Sequence, residues 1–197
     1  MRTLLCTLLL LLTHALSAQA ALVPAAPDVD ARAYLLLDVN SGRVLAERDA
    51  DTRIEPASLT KMMTAYVVFN ELKQGTIGLA DQVRISEKAW RMQGSRMFIE
   101  VNKMVSVEEL LLGMIVQSGN DASVALAEHV AGGEEPFVGL MNQQAVRLGM
   151  ANTHFTNSTG LPHPEHYTTA RDLAILARAL IEGFPKYYEW YQVKEYT

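Results

Sequence analysis

Across 197 residues there is a single cysteine, Cys6, and it lies within the N-terminal apolar segment. Without a second thiol the chain is no disulfide-stapled scaffold, and its stability must come from packing. It also lacks any lysine or arginine block. Seventeen basic against 22 acidic residues give a formal charge of −5, which argues against a nucleic-acid partner. Its long apolar run, Leu4 to Leu12, is too short to span a bilayer, so no transmembrane anchor is expected in this chain. Internal repeats and low-complexity tracts are missing too. What remains is 49% hydrophobic and 20% charged, the balance of a globular chain rather than a disordered one, and long enough for one sizeable core.

The N-terminus carries a targeting pattern: Arg2, the apolar run, then the small-residue site Ala18-Gln19-Ala20. Residues 1–20 are therefore expected to be a signal peptide, sending the protein to the periplasm or the outer face of the cytoplasmic membrane. Cys6 comes too early for a lipoprotein cysteine. Removing the segment takes away one arginine and no acid, leaving a formal charge of −6. Residues 21–32, rich in Ala, Pro and Asp, read as a flexible lead-in, and 33–197 as the folded part.

In that part, A-Y-L-L-L-D-V-N-S-G-R-V-L-A-E reads as a hairpin turning at Asn40-Ser41-Gly42. Two strands alone make a poor sheet, so the hairpin needs further strands or a covering helix. About five helices follow. One opens beside Pro56 and stops at Gly75. The next begins with the capping box of Ser106 and Glu109. Two more cover Ala122 to Val130 and Pro136 to Leu148. A last one starts after Thr169, with Asp172 in its first turn and the stripe Leu173, Leu176, Ala177, Leu180, Ile181.

The first helix raises a question. Its start, P-A-S-L-T-K-M-M-T, places Ser58 and Lys61 three residues apart on one face of an otherwise apolar segment. Burying an ammonium group is costly unless something uses it. A serine hydroxyl becomes a useful nucleophile when a base takes its proton, and a lysine desolvated by Leu59, Met62 and Met63 could be that base. The pair alone is weak, because roughly one chance S-x-x-K is expected in a chain of this length. A capped helix with a snorkelling lysine would look the same. The second piece is Gln117-Ser118-Gly119-Asn120, at the junction of two apolar helices. It serves as a helix connection, and it can also present a hydroxyl and an amide to a neighbouring site, as acyl transfer requires.

S-x-x-K followed by S-x-N is the ordered pair of penicillin-binding proteins and serine β-lactamases. The stretches S-G-R-V-L-A-E-R-D-A-D, P-A-S-L-T-K-M-M-T, Q-S-G-N-D-A, F-V-G-L-M-N, L-G-M-A-N-T-H-F-T-N-S-T-G-L and T-A-R-D resemble, in order, the low-molecular-mass D-alanyl-D-alanine carboxypeptidases of the penicillin-binding protein 5 and 6 type. The resemblance runs from about Ala33 to Thr197. It implies an α+β, β-lactamase/transpeptidase-like fold, an antiparallel sheet flanked by helices with a helical subdomain. It implies Ser58 as acylated nucleophile, Lys61 as general base, Ser118 as proton relay and Asn120 as the residue that orients the substrate. The implied substrate is the peptidoglycan stem pentapeptide ending in D-Ala-D-Ala, with β-lactams acylating the same serine and no cofactor or metal taking part.

The family's third motif, Lys-Thr-Gly on a strand after the helical region, has no match. Ser158-Thr159-Gly160 stands in another context and has no cation. The chain closes on V-K-E-Y-T, which resembles the start of the family's next strand, so the expectation is an N-terminal portion of a catalytic domain, inactive or impaired alone. A non-catalytic module binding stem peptides or β-lactams is an alternative. A class A β-lactamase lacks support, since no E-x-x-L-N glutamate follows the second motif. A metallopeptidase would have to use His163 and His166, which read better as surface-loop histidines. Tyr187, Tyr188, Trp190 and Tyr191 read as core-facing surface left uncovered.

Overall fold

The computed structural model describes residues 29–196; the expected signal peptide and most of the lead-in lie outside them. From Ala31 onward the residues form one unit. It opens with the expected hairpin, β1 (Tyr34–Leu37) and β2 (Val44–Arg48), paired antiparallel with an irregularity between Leu36 and Leu37. The turn is held by Asp38, whose Oδ1 accepts from the Ser41 backbone N–H at 2.7 Å and whose backbone accepts from Gly42 at 2.8 Å. Gly42 has φ +70°, which glycine adopts without steric cost.

Ser58 sits in a short 3-10 turn, Ala57–Leu59, that leads into α1 (Thr60–Gln74), so the serine precedes the regular helix instead of lying in its first turn. Then come β3 (Gln82–Arg84), the one-turn α2 (Glu87–Trp90), β4 (Met104–Ser106), α3 (Val107–Gln117), α4 (Asn120–Ala131), α5 (Glu134–Leu148), α6 (Ala170–Gly183) and α7 (Pro185–Tyr188). β3 and β4 form a second antiparallel pair, which the sequence reading missed. Three-residue strands leave too few alternations to register as a period. The residues after Gln192, expected to begin a strand, form none among those described.

Caps follow the sequence closely. Ser106 and Glu109 make the reciprocal capping box of α3, and Thr169 accepts from the Asp172 N–H at the start of α6. α4 is the central helix: Ala122 to Ala127 are all buried, as befits a helix packed on every side. Around it Met63, Phe69, Leu110, Leu111, Phe137, Met141, Phe155 and Leu176 close the core. The hairpin gains the covering helix it needs from α6, and Leu35, Leu37 and Val44 face Ile175 and Ala179 across a cleft of about 370 Å³. Leu36 and Leu45 on its other side are 52% and 46% exposed. Two of the terminal aromatics are not left uncovered: Tyr187 stacks on Phe69 at 4.8 Å, and Trp190 meets the same ring edge-on. Tyr188 and Tyr191 remain exposed. Among the described residues no helix is long and apolar enough to cross a membrane.

Candidate active site

The Lys61 side chain answers the question raised by its sequence. It is 6% exposed, and its Nζ donates to Asn120 Oδ1 at 2.7 Å, to the Thr159 backbone carbonyl at 2.7 Å and toward Ser58 Oγ at 3.3 Å. Three elements thus converge on one nitrogen: the start of α1, the start of α4 and the loop before α6. Burial pushes Lys61 down to about 8 from the usual lysine value. Asn120 Oδ1 and the Thr159 carbonyl can only accept, so they hold two N–H bonds in either charge state. When the amine is neutral, its lone pair is left for the Ser58 hydroxyl. That arrangement can take a proton from Ser58.

Ser58 itself is exposed, at the mouth of a cavity of about 250 Å³ lined also by Leu59, Lys61, Met62, Met114, Ile115, Ser118 and Tyr191. Ser118 follows α3 in the left-handed conformation, φ +57°, which bends the chain into α4 and turns its side chain to the same cavity as Ser58. Its Oγ is buried with no hydrogen-bond partner among the described residues. An unsatisfied buried hydroxyl is costly, and one facing a cavity is free to bond a ligand there. Asn120 is 6% exposed; its Nδ2 donates to the Gln93 carbonyl at 2.6 Å, leaving one amide hydrogen. Its neighbour Asp121 accepts from the backbone of Met97 and Ile99 and holds that loop against the Ser118–Asn120 turn.

Main-chain geometry completes the site, which a search for side-chain motifs cannot see. Ala57, just before Ser58, has φ +46°, a strained value for a residue with a Cβ. Gly160, φ +89°, lies directly on it: a Cβ there would come 1.8 Å from the Ala57 carbonyl oxygen. Ser158-Thr159-Gly160, set aside in the sequence for want of a cation, therefore reaches the site through backbone. Its Ser158 carbonyl also accepts from Thr64 of α1, while Ser158 N–H and Oγ donate to Glu134, itself paired with Lys88 at 2.7 Å. Gly160→Ala is expected to cost roughly 2–4 kcal/mol, the combined scale of backbone strain and overpacking. Thermal melting would check it, and a melt within a degree of the parent would contradict the close approach.

His166 is not a surface histidine. It is 2% exposed, with one ring nitrogen on Thr60 Oγ1 and the other on Thr156. Among the described residues no cluster of three or more potential ligands could hold a metal ion.

The profile of peptidase family S11, D-alanyl-D-alanine carboxypeptidase, matches residues 20–197. The chain belongs to this family. It is 49% identical over 178 residues to D-alanyl-D-alanine carboxypeptidase DacC of Escherichia coli K12, covering 87% of this chain and 44% of that protein. With DacA of the same organism it shares 44% over 202 residues, 99% of this chain and 50% of DacA. This carboxypeptidase-family chain spans about half the length of the curated relatives it matches. Among solved structures, penicillin binding protein 5 of Haemophilus influenzae matches with a TM-score of 0.86 and 46% identity, over 88% of this chain and 52% of that one. DacD of Francisella tularensis matches with a TM-score of 0.84 at 46% identity, over 85% and 41%. The fold class is thereby the α+β, β-lactamase/transpeptidase-like one, here as its hairpin and helical region.

Proposed function

We propose that the protein is a serine-type D-Ala-D-Ala carboxypeptidase that removes the terminal D-alanine from peptidoglycan stem pentapeptides and is acylated by β-lactams at the same residue. The observation that carries the reading is the depressed, buried Lys61 amine poised on an exposed serine. Ser58 Oγ attacks the carbonyl of the penultimate D-alanine as Lys61 takes its proton. Ser118 passes a proton to the leaving D-alanine nitrogen, and water then hydrolyses the ester to the shortened peptide and free Ser58. The remaining Nδ2 hydrogen of Asn120 is available to a substrate carbonyl. Family membership supports the reading, and the N-terminal targeting pattern supports action outside the cytoplasmic membrane.

The reading is tested by D-alanine release from a D-Ala-D-Ala pentapeptide, with β-lactam acylation followed alongside, in a protein that carries the family's complete catalytic domain. Acylation without release would favour the binding-only module. A pH series adds a second test. Because the neutral amine is the active form and Lys61 is held near 8, acylation should rise about tenfold per pH unit below that value and level off above it. A flat profile from pH 6 to 9 would remove Lys61 from the proton transfer.

A further inference from the structure

The segment from His154 to Tyr167 is a closed loop. Its neck is an antiparallel bridge, with His154 N–H to the Tyr167 carbonyl at 2.9 Å and the reverse bond at 3.0 Å. Beside the neck, Thr168 bridges Ile54, four residues ahead of Ser58. His166 lies inside. The Thr156 backbone N–H reaches His166 Nδ1 at 3.0 Å, and a backbone N–H can only donate, so Nδ1 carries no proton. The neutral ring then has its hydrogen on Nε2, where it donates to Thr60 Oγ1 at 2.7 Å. Thr60 adjoins Lys61, and the same loop supplies the Thr159 carbonyl that Lys61 grips.

We propose that His166 is a positioning residue for Lys61, fastening the loop that bears the Thr159 carbonyl to the helix that bears the lysine. Among the described residues, the imidazole is the one side chain of this loop that bonds the loop backbone with one atom and the helix bearing Lys61 with another. Burial keeps it neutral, pushed down to about 4, and charge on His154 or His163 would oppose its protonation further. A cation at His166 would turn Nδ1 into a donor, giving up the bond from the Thr156 N–H for one to Thr156 Oγ1, 3.1 Å away, and so disturb the loop side of the link. The other charged groups at the loop are Glu165 within it, Arg53 stacked on the Tyr167 ring at its neck, Asp172 of α6 bonded to Thr153 beside the neck, and the paired Glu134 of α5 and Lys88 of α2; the hydrogen-bond partners of Lys61 are neutral. If the link is cut, the loop is left to the Thr64 bond on its Ser158 carbonyl, the Thr159 carbonyl loosens, water reaches the amine, and water hydrates an ammonium better than one carbonyl does. The Lys61 titration then moves up toward ordinary lysine. The proposal rests on Lys61 as the base only for its effect on rate.

The two halves of the ring can be separated. His166→Asn keeps an acceptor near Nδ1 for Thr156, and His166→Gln keeps a donor near Nε2 for Thr60. Thr60→Val, nearly isosteric, removes the helix side of the contact and leaves the loop side in place. Titrating the 13C-labelled lysine ε-carbon by NMR in the full-length protein reads Lys61 without requiring activity. Each variant should raise its midpoint by about one pH unit or more, and β-lactam acylation at pH 7 should fall about tenfold for each unit. Leu180→Ala, a core change on α6, controls for lost stability and should leave the midpoint where it is. An unchanged or lowered midpoint in all three variants overturns the proposal, as does an equal rise in Leu180→Ala. A raised midpoint with unaltered acylation would uphold the link while sinking Lys61 as the base.

Discussion

Ser58→Ala is expected to abolish the covalent β-lactam adduct while leaving the fold nearly untouched. Intact-mass analysis of the parent after incubation with penicillin should show one added molecule, on the peptide containing Ser58. The variant should show none. The two effects separate because of where the hydroxyl lies. Ser58 is exposed, and its Oγ meets Lys61 Nζ at a loose 3.3 Å, so truncation opens no cavity in the core. A surface change of this kind shifts stability by no more than about 0.5 kcal/mol. Loss of the adduct with an unchanged melt therefore reads chemistry alone. An adduct that persists in the alanine variant would end the assignment, and Ser118, whose buried hydroxyl shares the cavity, would be the next residue to map.

Much of this site was legible in the sequence because its side chains come from short motifs placed at helix boundaries. The three-residue spacing of Ser58 and Lys61 survives although Ser58 sits in a 3-10 turn, since the turn runs straight into α1. The Ser118–Asn120 turn was legible for a related reason: a polar break between two apolar helices must face something. What the sequence could not disclose is backbone work. Thr159 contributes a carbonyl that every residue type possesses, and Gly160 contributes the lack of a Cβ exactly where Ala57 needs room. His166 was misplaced because polar neighbours and Pro164 make its segment read as an exposed loop. In the fold, that loop closes on itself and tucks the ring beneath α1, where Thr60 and Thr156 satisfy both nitrogens. The long helices were legible from caps and periodicity, whereas β3, β4 and α2 are too short to carry either signal.

Lys61→Arg keeps the positive charge and should still cost about 10²–10⁴ in acylation rate, the range typical of a lost general base. The reason lies in proton count. In the neutral lysine, two N–H bonds go to Asn120 and Thr159 and the lone pair faces Ser58. A guanidinium has five donors, no acceptor and no proton to release near neutral pH, so it can bond all three oxygens yet take nothing from the serine. It is also larger, in a position 6% exposed, and forcing it in should cost about 1–3 kcal/mol of stability. That cost is read separately by melting, and acylation is compared well below the melting range so that only folded protein is counted. Stopped-flow acylation with a fluorescent penicillin from pH 6 to 10 then gives the decisive comparison. The parent should show the limb centred near 8, and the arginine variant a low rate with no such limb. A variant that acylates close to the parent rate would make Lys61 an electrostatic partner of Ser58 and move the search for the base to another group in the cavity.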